Sequence, residues 1–231
     1  MLEAMLQSVP LPAHAVCGRS AAVLDAIRQP PITLALWRRQ LAPSLERWIC
    51  GIDLDAVEDL SFTAEVDQLD RDLADALDSA GYGRSPGGEL LRRDMEALAR
   101  HFFGIVGQPR IELRLEVIET NSCRKFHADY VSARLITTYV GRGTEWLGQA
   151  DAEAHSAGAP VEAVTVRRVA AGEVAILKGR LWEPDHALVH RSPPIEGTGQ
   201  SRLVLVLNPC LEAGVTELDE RAKVASASLR T

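Results

Sequence analysis

The spacing of apolar residues changes near residue 109, and this change constrains the fold more than any other feature of the sequence. Between Ser20 and Gly107 the apolar residues mostly recur every three or four positions, which is the spacing of helices with one covered face. Between Arg110 and Pro209 they alternate with polar residues or form short β-branched blocks bounded by Gly and Pro. The pattern therefore predicts helices first and a sheet second. Many short strands without interleaved helices favour an antiparallel sandwich or barrel over a parallel doubly wound sheet.

The first half of the chain is predicted to contain two main helices. Thr63 can cap a helix that ends at Gly81, and a second helix follows the turn at residues 85–88 and ends at Gly107. Their apolar stripes are Val66, Leu69, Leu73, Leu77 and Ala80 in the first helix, and Leu91, Met95, Leu98, Phe102 and Ile105 in the second. A short helix at 20–28, a short strand at 32–37 and a helix at 43–52 are also predicted. Each apolar stripe needs a sheet or the other helix to cover it.

The second half of the chain is predicted to form strands at residues 111–117, 131–140, 164–169, 173–178, 187–190 and 202–207. We therefore expect an α+β fold in three regions: a mainly helical region at 1–109 that packs on the sheet, a β core at 110–210 and a polar tail at 211–231. Residues 148–160 are rich in Ala, Gly and acidic residues, and we expect them to form either a mobile lid or plain surface.

Charge and hydropathy exclude several classes of partner. The 231 residues carry a net charge of −7, and the 25 basic residues are scattered rather than gathered into a stripe that could neutralise phosphates, so nucleic acid is not expected as a partner. No apolar run approaches the roughly 18–20 residues of a membrane span, and the N-terminus lacks the basic start and apolar core of a secretory signal. We expect a cytoplasmic protein without a membrane partner, and a homodimer would be in keeping with a sandwich domain.

One tripeptide, His127-Ala128-Asp129, carries the sharpest chemical signal in the chain. In an extended segment, side chains two positions apart leave the same face, so this imidazole and this carboxylate could share one ion. A third ligand from a distant strand would complete a face of two histidines and one carboxylate. Such a face suits non-haem Fe(II) and leaves positions open for substrate and oxygen. A surface salt link is the alternative explanation of the tripeptide.

A cation at the far end of such a site would hold a dianionic co-substrate that chelates the metal. Arg202 can supply that cation, since it starts a strand on which Val204 and Val206 would share its inward face. The outward face of the strand would then carry Leu203, Leu205 and Leu207, and the predicted helices are available to cover it. The alternative is that Arg202 is an ordinary cation at the edge of a hydrophobic strand.

The order of these motifs resembles that of the Fe(II)- and 2-oxoglutarate-dependent dioxygenases. The resemblance covers residues 110–209, and its motifs are the His-x-Asp tripeptide, GEVAILKG at 172–179, HRSPP at 190–194 and GQSRLVLVL at 199–207. It implies a double-stranded β-helix, a jelly roll of the cupin-like type, with Fe(II) held by His127, Asp129 and His190 and the distal carboxylate of 2-oxoglutarate held by Arg202. The implied activity is hydroxylase-type oxidation of a small-molecule or protein substrate that the sequence does not identify. The whole chain, including TYVGRGTEWL at 138–147, looks most like an uncharacterised bacterial family of unknown function.

Several residues near these motifs remain open as further members of the site. His186 stands four residues before His190, so either imidazole could be the third ligand; His190 is favoured because two prolines follow it, as in the superfamily. A thiolate at Cys123 could direct the site toward zinc, whereas a buried free thiol is the alternative. Tyr139 and Arg134 belong to the strand after the tripeptide, where this superfamily often places groups that touch the co-substrate.

A second class of function keeps the fold but not the reaction. It is a cupin-like metal-binding protein in zinc or iron homeostasis, with Zn(II) or iron held by the same residues and without oxygenase activity. Metal analysis separates the two hypotheses, since a closed shell of four ligands favours zinc and an open shell favours the oxygenase. Nucleotide-dependent and acyl-enzyme chemistry are not expected, because the sequence contains no GxGxxG, GxxxxGK[ST] or GxSxG motif in a suitable context.

Overall fold

The computed structural model describes residues 10–121 and 123–210, in which ten strands and four α-helices are found. The strands are β1 (Ala15–Gly18), β2 (Leu34–Trp37), β3 (Leu60–Glu65), β4 (Arg110–Ile118), β5 (Ala133–Val140), β6 (Glu145–Leu147), β7 (Val166–Arg168), β8 (Val174–Lys178), β9 (His190–Arg191) and β10 (Arg202–Pro209). The helices are α1 (Pro43–Cys50), α2 (Leu69–Ser79), α3 (Pro86–Val106) and α4 (Gln149–Ser156). Short 3-10 helices lie at Ala21–Arg28, Leu54–Ala56 and Val161–Ala163.

Two sheets organise the strands. The larger sheet has the order β1-β2-β8-β5-β10-β4-β3, and the smaller sheet has the order β7-β6-β9. Every neighbouring pair is antiparallel except β1 and β2, which are parallel. The protein therefore has a mixed architecture of helices and a large, mainly antiparallel sheet, as the apolar spacing predicts.

Strand β10 contributes to two hydrophobic cores, one on each face of the larger sheet. All eight of its residues are buried. Leu203, Leu205 and Leu207 pack into the core that also contains the apolar stripes of α1, α2 and α3. Val204 and Val206 pack into a second core, which includes Trp146 of the smaller sheet. The predicted assignment of the two faces of this strand is confirmed.

Helix α3 ends at Gly107 as predicted, but it begins at Pro86, inside the turn predicted at residues 85–88. The Ser85 hydroxyl accepts a hydrogen bond from the backbone N–H of Gly88, and Pro86 occupies the first turn, where its missing N–H leaves no bond unmade. Gly107 ends the helix with φ +67°, a left-handed conformation that glycine adopts without steric cost. A Cβ atom at Gly87 would lie 2.0 Å from Trp48 Cγ of α1, so this glycine allows the two helices to approach closely.

The helix that Thr63 is predicted to cap begins only at Leu69, and its N-cap is Gln68. Residues 60–65 form strand β3, in which Leu60 and Ala64 are buried while the residues between them are more exposed. Their backbone pairs with β4 along the edge of the larger sheet, and α2 begins only at Leu69. Over six residues, the apolar spacing of a strand and that of the first turn of an amphipathic helix are difficult to distinguish. Pairing with the neighbouring strand β4 decides in favour of the strand. With β1 and β2, the first 109 residues thus supply three strands, so the sheet is not confined to residues 110–210.

The strand register defines two ends of the larger sheet. Ala15 pairs with Leu34, Leu34 with Leu177, and Ala133 with Lys178, so the first residues of β1, β2 and β5 lie at one end. The His-x-Asp segment enters β5 at this end, which we call the entry end. Arg202 begins β10 at the opposite end, where its neighbour Leu203 pairs with Val140.

Two other segments bear on the predictions. Residues 148–160, predicted as a lid or plain surface, contain helix α4, whose residues are partly or fully exposed. The predicted polar tail at 211–231 lies outside the described residues. Within the described residues, the structure contains no helix of sufficient length and hydropathy to cross a bilayer.

Candidate metal centre

Three side chains converge at the entry end of the larger sheet: His127, Asp129 and His190. One donor atom of each lies within 4.8 Å of the donor atoms of the other two. Asp129 Oδ1 is 3.4 Å from His127 Nε2, and Asp129 Oδ2 is 3.1 Å from His190 Nε2. The two backbones also bond to each other, with His127 N–H donating to the His190 carbonyl and the reverse, at 3.0 and 2.9 Å. This isolated β-bridge brings together two residues that lie 63 positions apart in the sequence.

The hydrogen bonds of both imidazoles direct Nε2 toward the shared space. His127 Nδ1 lies 2.9 Å from the carbonyl oxygen of Lys125, and His190 Nδ1 lies 3.2 Å from that of Leu188. A carbonyl oxygen only accepts, so Nδ1 must carry the proton in each ring. In the neutral ring, Nε2 then keeps a free lone pair, which is the form in which histidine binds a metal.

The carboxylate of Asp129 is largely buried and is held by a cation. Its side chain is 11% exposed, and Oδ2 lies 2.5 Å from Arg134 Nη1. Burial alone would raise the pKa of Asp129, but its contacts with the imidazoles of His127 and His190 and the charge of Arg134 outweigh it and hold the pKa well below its ordinary value. Among the described residues, Oδ2 accepts no hydrogen bond of good geometry. The Arg134 contact with Oδ2 is therefore an ion pair, and Oδ1, which lies near His127 Nε2, is left to bind a metal.

These observations test whether the residues fit a metal ion. Two neutral imidazoles and one ionised carboxylate surround one point, and their remaining polar atoms are held by backbone carbonyls or by Arg134. Oxygen and imidazole donors in this number suit a divalent first-row metal with open coordination positions. The donor set therefore fits the predicted Fe(II), and His127, the most exposed ligand at 35%, marks the open side.

Arg202 is almost completely buried, at 1% exposed. Its Nε donates to the carbonyl oxygen of Arg142 at 2.5 Å and its Nη1 to Ser192 Oγ at 3.0 Å, while Nη2 makes longer contacts with the hydroxyls of Thr138 and Thr144. Burial lowers the pKa of Arg202 to about 10, so the group stays protonated at neutral pH. Among the described residues, no carboxylate lies within ion-pair distance of this guanidinium.

Arg202 lies on the same side of the larger sheet as the metal-site residues. Only one residue separates His190 from Ser192, the acceptor of the Arg202 hydrogen bond, so the backbones at these two positions are about 7 Å apart in an extended segment. Val204, which shares the strand face of Arg202, packs with Trp146 in the second hydrophobic core.

Tyr139 does not belong to this site, contrary to its predicted role. Its ring packs in the core on the helix-covered face of the sheet, and its hydroxyl donates to Asp94 Oδ2 of α3 at 2.8 Å. Asp94 also pairs with both terminal nitrogens of Arg39, at 2.6 and 2.8 Å. Thr138, one residue earlier, has the hydroxyl that reaches Arg202. Arg134, the other predicted neighbour of the co-substrate, faces the site but contacts Asp129.

His186 and Cys123 stay outside the group of ligands. Among the described residues, the metal-ligating cluster contains neither of them. His186 Nδ1 lies 3.1 Å from the side-chain nitrogen of Gln149 at the start of α4. Cys123 is exposed and free, so the buried-thiol explanation is also wrong; its φ of +55° and its carbonyl bond to Ser192 place it on the loop before the tripeptide. The choice of His190 as the third ligand agrees with this geometry.

Two adjoining cavities lie at the entry end, with volumes of about 360 and 490 Å³. They share the side chains of His14, Gln149, Glu153 and His186. The smaller cavity also touches Ala128, Leu188 and Val189, which flank the three ligands in sequence. These cavities connect helix α4 and the 180–189 loop with the neighbourhood of the metal site.

Two groups of polar contacts at the site are not predictable from the sequence. Arg134 is anchored through its Nε to Asn208 at the end of β10, and Asn208 donates in turn to Glu112. Glu145 is buried among arginines beside Arg202. Arg134 and Asn208 are 74 residues apart in the chain, Asn208 and Glu112 are 96 apart, and Glu145 and its arginines are up to 46 apart. Only the strand register brings these pairs together, and the sequence does not display that register.

Comparisons with known proteins give one family match and several similar solved structures. A family model described as a protein of unknown function, DUF1826, matches residues 18–208. The fold is similar to that of a rice dioxygenase for auxin oxidation, with 14% identity over 89% of this chain and 84% of that one and a TM-score of 0.48. It is also similar to an Arabidopsis thaliana dioxygenase for auxin oxidation in complex with 2-oxoglutarate, with 10% identity over 76% and 74% and a TM-score of 0.41.

A third similar structure is a Pseudomonas putida prolyl-4-hydroxylase, with 11% identity over 83% of this chain and 99% of that one and a TM-score of 0.44. The predicted resemblance to an uncharacterised family is thus found. No curated protein matches the chain.

Proposed function

Because the chain belongs to the DUF1826 family of proteins of unknown function, we propose its activity from the site itself: it is a non-haem Fe(II)- and 2-oxoglutarate-dependent dioxygenase. The observation that carries this proposal is the convergence of two imidazole Nε2 atoms and one carboxylate within 4.8 Å. The reaction we propose is a hydroxylase-type oxidation, in which O2 gives one oxygen atom to the substrate and the other to succinate, while 2-oxoglutarate loses CO2. We also assign the two facing sheets to a double-stranded β-helix, with the helices of the first half covering its outer face.

The three ligands would hold Fe(II) on one side and leave the other side open. His127 and His190 would bind through Nε2, because the Lys125 and Leu188 carbonyls occupy their Nδ1 protons. When bound, the iron supplies the redox chemistry and the positions at which oxygen and co-substrate meet. The role of the chain is to present these ligands in a fixed orientation.

Arg134 would orient the third ligand. Its guanidinium contacts Asp129 Oδ2, and its anchor on Asn208 limits its movement. Oδ1 then remains the oxygen that can bind the metal, so the carboxylate would occupy one coordination position rather than two. Arg134 also cancels the charge of Asp129, which leaves the charge of the metal available to attract an anionic co-substrate.

Arg202 would hold the distal carboxylate of 2-oxoglutarate. A fully buried guanidinium without an ionic partner among the described residues is costly to maintain, and a bound carboxylate would supply that partner. The hydroxyls of Ser192 and Thr138, which already contact the guanidinium, could donate to the same carboxylate. The apolar walls around Trp146 would exclude water from the oxidising centre.

The cavities at the entry end are where we propose that the substrate binds. They adjoin the ligand-bearing segments and are lined by both polar and apolar side chains. Helix α4 forms one wall, so the segment predicted as a lid or plain surface would take part in substrate recognition.

The proposal is tested by following Fe(II) binding, 2-oxoglutarate binding and succinate release on the same protein. We expect the wild-type protein to bind Fe(II) anaerobically, then to bind 2-oxoglutarate, and then to release succinate when air is admitted. Asp129→Ala should lose metal binding. Arg202→Met should keep the metal but bind 2-oxoglutarate about 10- to 100-fold more weakly, which corresponds to the loss of a charged hydrogen bond of about 1.5–3 kcal/mol.

Arg93→Gln is the matched control, because the Arg93 side chain is 68% exposed, pairs with Glu89 on α3 and makes no ion pair with the three ligands. It should match the wild type in all three measurements. Iron-loaded wild-type protein that neither binds 2-oxoglutarate nor releases succinate would contradict the proposal. Tight Zn(II) binding by four protein ligands would support metal homeostasis instead; the described cluster offers three.

A further inference from the structure

Glu145 is a buried carboxylate surrounded by arginines, outside the group of proposed ligands. It is 3% exposed. Arg191 contacts its Oε2 through Nε and Nη2, both at 2.8 Å, while Arg168 and Arg142 contact its Oε1 at 3.1 and 3.3 Å. Arg191 also stacks over the ring of Phe126, with its guanidinium carbon 4.3 Å from the ring centroid. One negative charge therefore holds three guanidinium groups.

The register of the smaller sheet explains how one side chain reaches partners on three segments. Glu145 on β6 lies opposite Arg168 on β7 and opposite Arg191 on β9. Such cross-strand pairs of opposite charge stabilise a sheet. The next pair along β6 and β9 is Trp146 with His190, so the Glu145–Arg191 contact lies directly beside the third metal ligand.

Strand β9 depends on such contacts because it is only two residues long. Its backbone is bonded to β6 on one side and to His127 on the other. A two-residue strand offers few ladder hydrogen bonds, so side-chain contacts contribute a large share of what fixes its position. Arg191 makes such a contact through two nitrogens, Nε and Nη2, which both reach Glu145 Oε2.

The same carboxylate also supports the surroundings of Arg202. Arg202 donates to the backbone carbonyl of Arg142, whose side chain binds Glu145. On the other side it donates to Ser192, the residue after Arg191. Glu145 thus binds the side chains of Arg142 and Arg191. Arg202 in turn is held by the backbone carbonyl of Arg142 and by Ser192, which follows Arg191.

Charge balance makes this arrangement sensitive to the loss of the carboxylate. Arg142, Arg168, Arg191 and Arg202 bring four positive charges to this region against the single negative charge of Glu145, and the field of Glu145 also favours the protonated form of Arg202. Without the carboxylate, the positive charges of the buried Arg202 and its neighbouring arginines would repel each other and separate the segments.

We propose that Glu145 is a positioning residue that couples the metal centre to the co-substrate anchor, by holding Arg191 beside His190 and Arg142 beside Arg202. This inference rests on the proposed function, since it concerns the same ligands and the same anchor. Glu145 itself contacts neither the three ligands nor, within hydrogen-bond distance, Arg202.

The test compares Glu145→Gln with variants of its three partners. Co(II) affinity is measured by titration in the absence of co-substrate, and 2-oxoglutarate affinity by calorimetry on the Co(II)-loaded protein, so neither readout needs turnover. Glu145→Gln should weaken Co(II) binding about 10- to 100-fold, the usual effect of losing a group that orients a metal ligand. Arg191→Gln should reproduce the loss of Co(II) affinity, and Arg142→Gln should weaken 2-oxoglutarate binding more than Co(II) binding.

Arg168→Gln is the internal control, because Arg168 shares the same carboxylate but belongs to β7, which carries neither a ligand nor a contact of Arg202. It should change both affinities by less than about threefold while lowering the thermal midpoint. Melting curves establish that each variant is folded at the assay temperature, and Arg191→Gln keeps the test decisive should Glu145→Gln fail to fold.

The inference is overturned by a folded Glu145→Gln or Arg191→Gln protein with wild-type Co(II) affinity, or by an Arg168→Gln protein that loses affinity as strongly as Arg191→Gln. Wild-type protein that binds Co(II) but no 2-oxoglutarate would instead count against the proposed function. In that case the ranking of Co(II) affinities among the variants still tests whether Glu145 positions the metal ligand.

Discussion

Replacing Tyr139 by Phe removes one hydroxyl group from the interface between α3 and the larger sheet. This hydroxyl donates to Asp94 at 2.8 Å, and Asp94 is also bound by Arg39 through two hydrogen bonds. Burial raises the pKa of Tyr139 well above its ordinary value, so the phenol is neutral and acts as a donor. Since Asp94 keeps both bonds from Arg39 in the variant, the cost is that of one charge-assisted hydrogen bond, about 1.5 kcal/mol.

Replacing Asp94 by Ala should cost more, about 3–5 kcal/mol. The substitution leaves the Arg39 guanidinium, whose side chain is 10% exposed, without its carboxylate, and it leaves the buried Tyr139 hydroxyl without its acceptor. In the Asp94→Ala background the Tyr139 hydroxyl has no acceptor, so removing it costs little. The double variant Tyr139→Phe/Asp94→Ala should therefore be destabilised about as much as Asp94→Ala alone. The resulting interaction energy, at least about 1 kcal/mol, identifies the contact as direct.

The free energy of unfolding is measured by urea titration, with Tyr130→Phe as the control. Tyr130 is 51% exposed, so the loss of its hydroxyl should cost less than about 0.5 kcal/mol. Tyr139→Phe should also bind 2-oxoglutarate as the wild type does. A Tyr139→Phe protein of unchanged stability but weaker 2-oxoglutarate binding would refute the assignment of this residue to the helix-covered face.

Three further outcomes are expected. Fe(II) at about one hundred times its dissociation constant should raise the free energy of unfolding by about 2.7 kcal/mol, and Asp129→Ala should abolish this increment in thermal melts. Gly143→Ala should cost at least about 2 kcal/mol in urea unfolding, because its Cβ atom would lie 1.7 Å from the Val169 carbonyl oxygen, whereas Gly104→Ala, with open space around the new atom, should cost nothing. Burial and a nearby arginine lower the pKa of His14, so protonation favours the unfolded state; stability should fall as the pH drops from 7 to 5, and His14→Gln should flatten that slope in unfolding curves.

Local patterns were sufficient to predict β10 and the His-x-Asp tripeptide. Alternation along β10 separates its leucines from Val204 and Val206, and both faces pack as that alternation predicts. The tripeptide places two donors on one side of an extended segment, and the structure brings them to a shared point with His190. Each of these predictions depends only on the rule that side chains two positions apart lie on the same face of a strand, and the sequence displays this spacing directly.

The error at Tyr139 has a specific physical cause. Alternation shows which residues of a strand share a face, but it does not show which face is which when both are buried. Strand β5 is buried on both sides, with Leu135 and Tyr139 facing the helices and Ile136 and Thr138 facing the other core. The face could be assigned only from the pairing of β5 with β10, whose register shifts by one residue at Leu203.

The contacts that span the site could not be predicted from spacing at all. Arg134 and Glu145 find their partners through strands that meet because of the sheet order, not because of the distance between them in the chain. Charged residues on strand positions look the same in the sequence whether they face solvent or a buried ion pair. Their burial becomes evident only when the opposing strands are in place.

The backbone bridge between His127 and His190 has a consequence for how the centre could change over evolutionary time. Peptide groups make both of its hydrogen bonds, so the bridge survives exchange of either side chain. A single substitution at either position could therefore offer a different donor at the same place, and with it a preference for a different metal, while the path of the chain stays as it is. The scaffold of this centre is thus separable from its ligand chemistry.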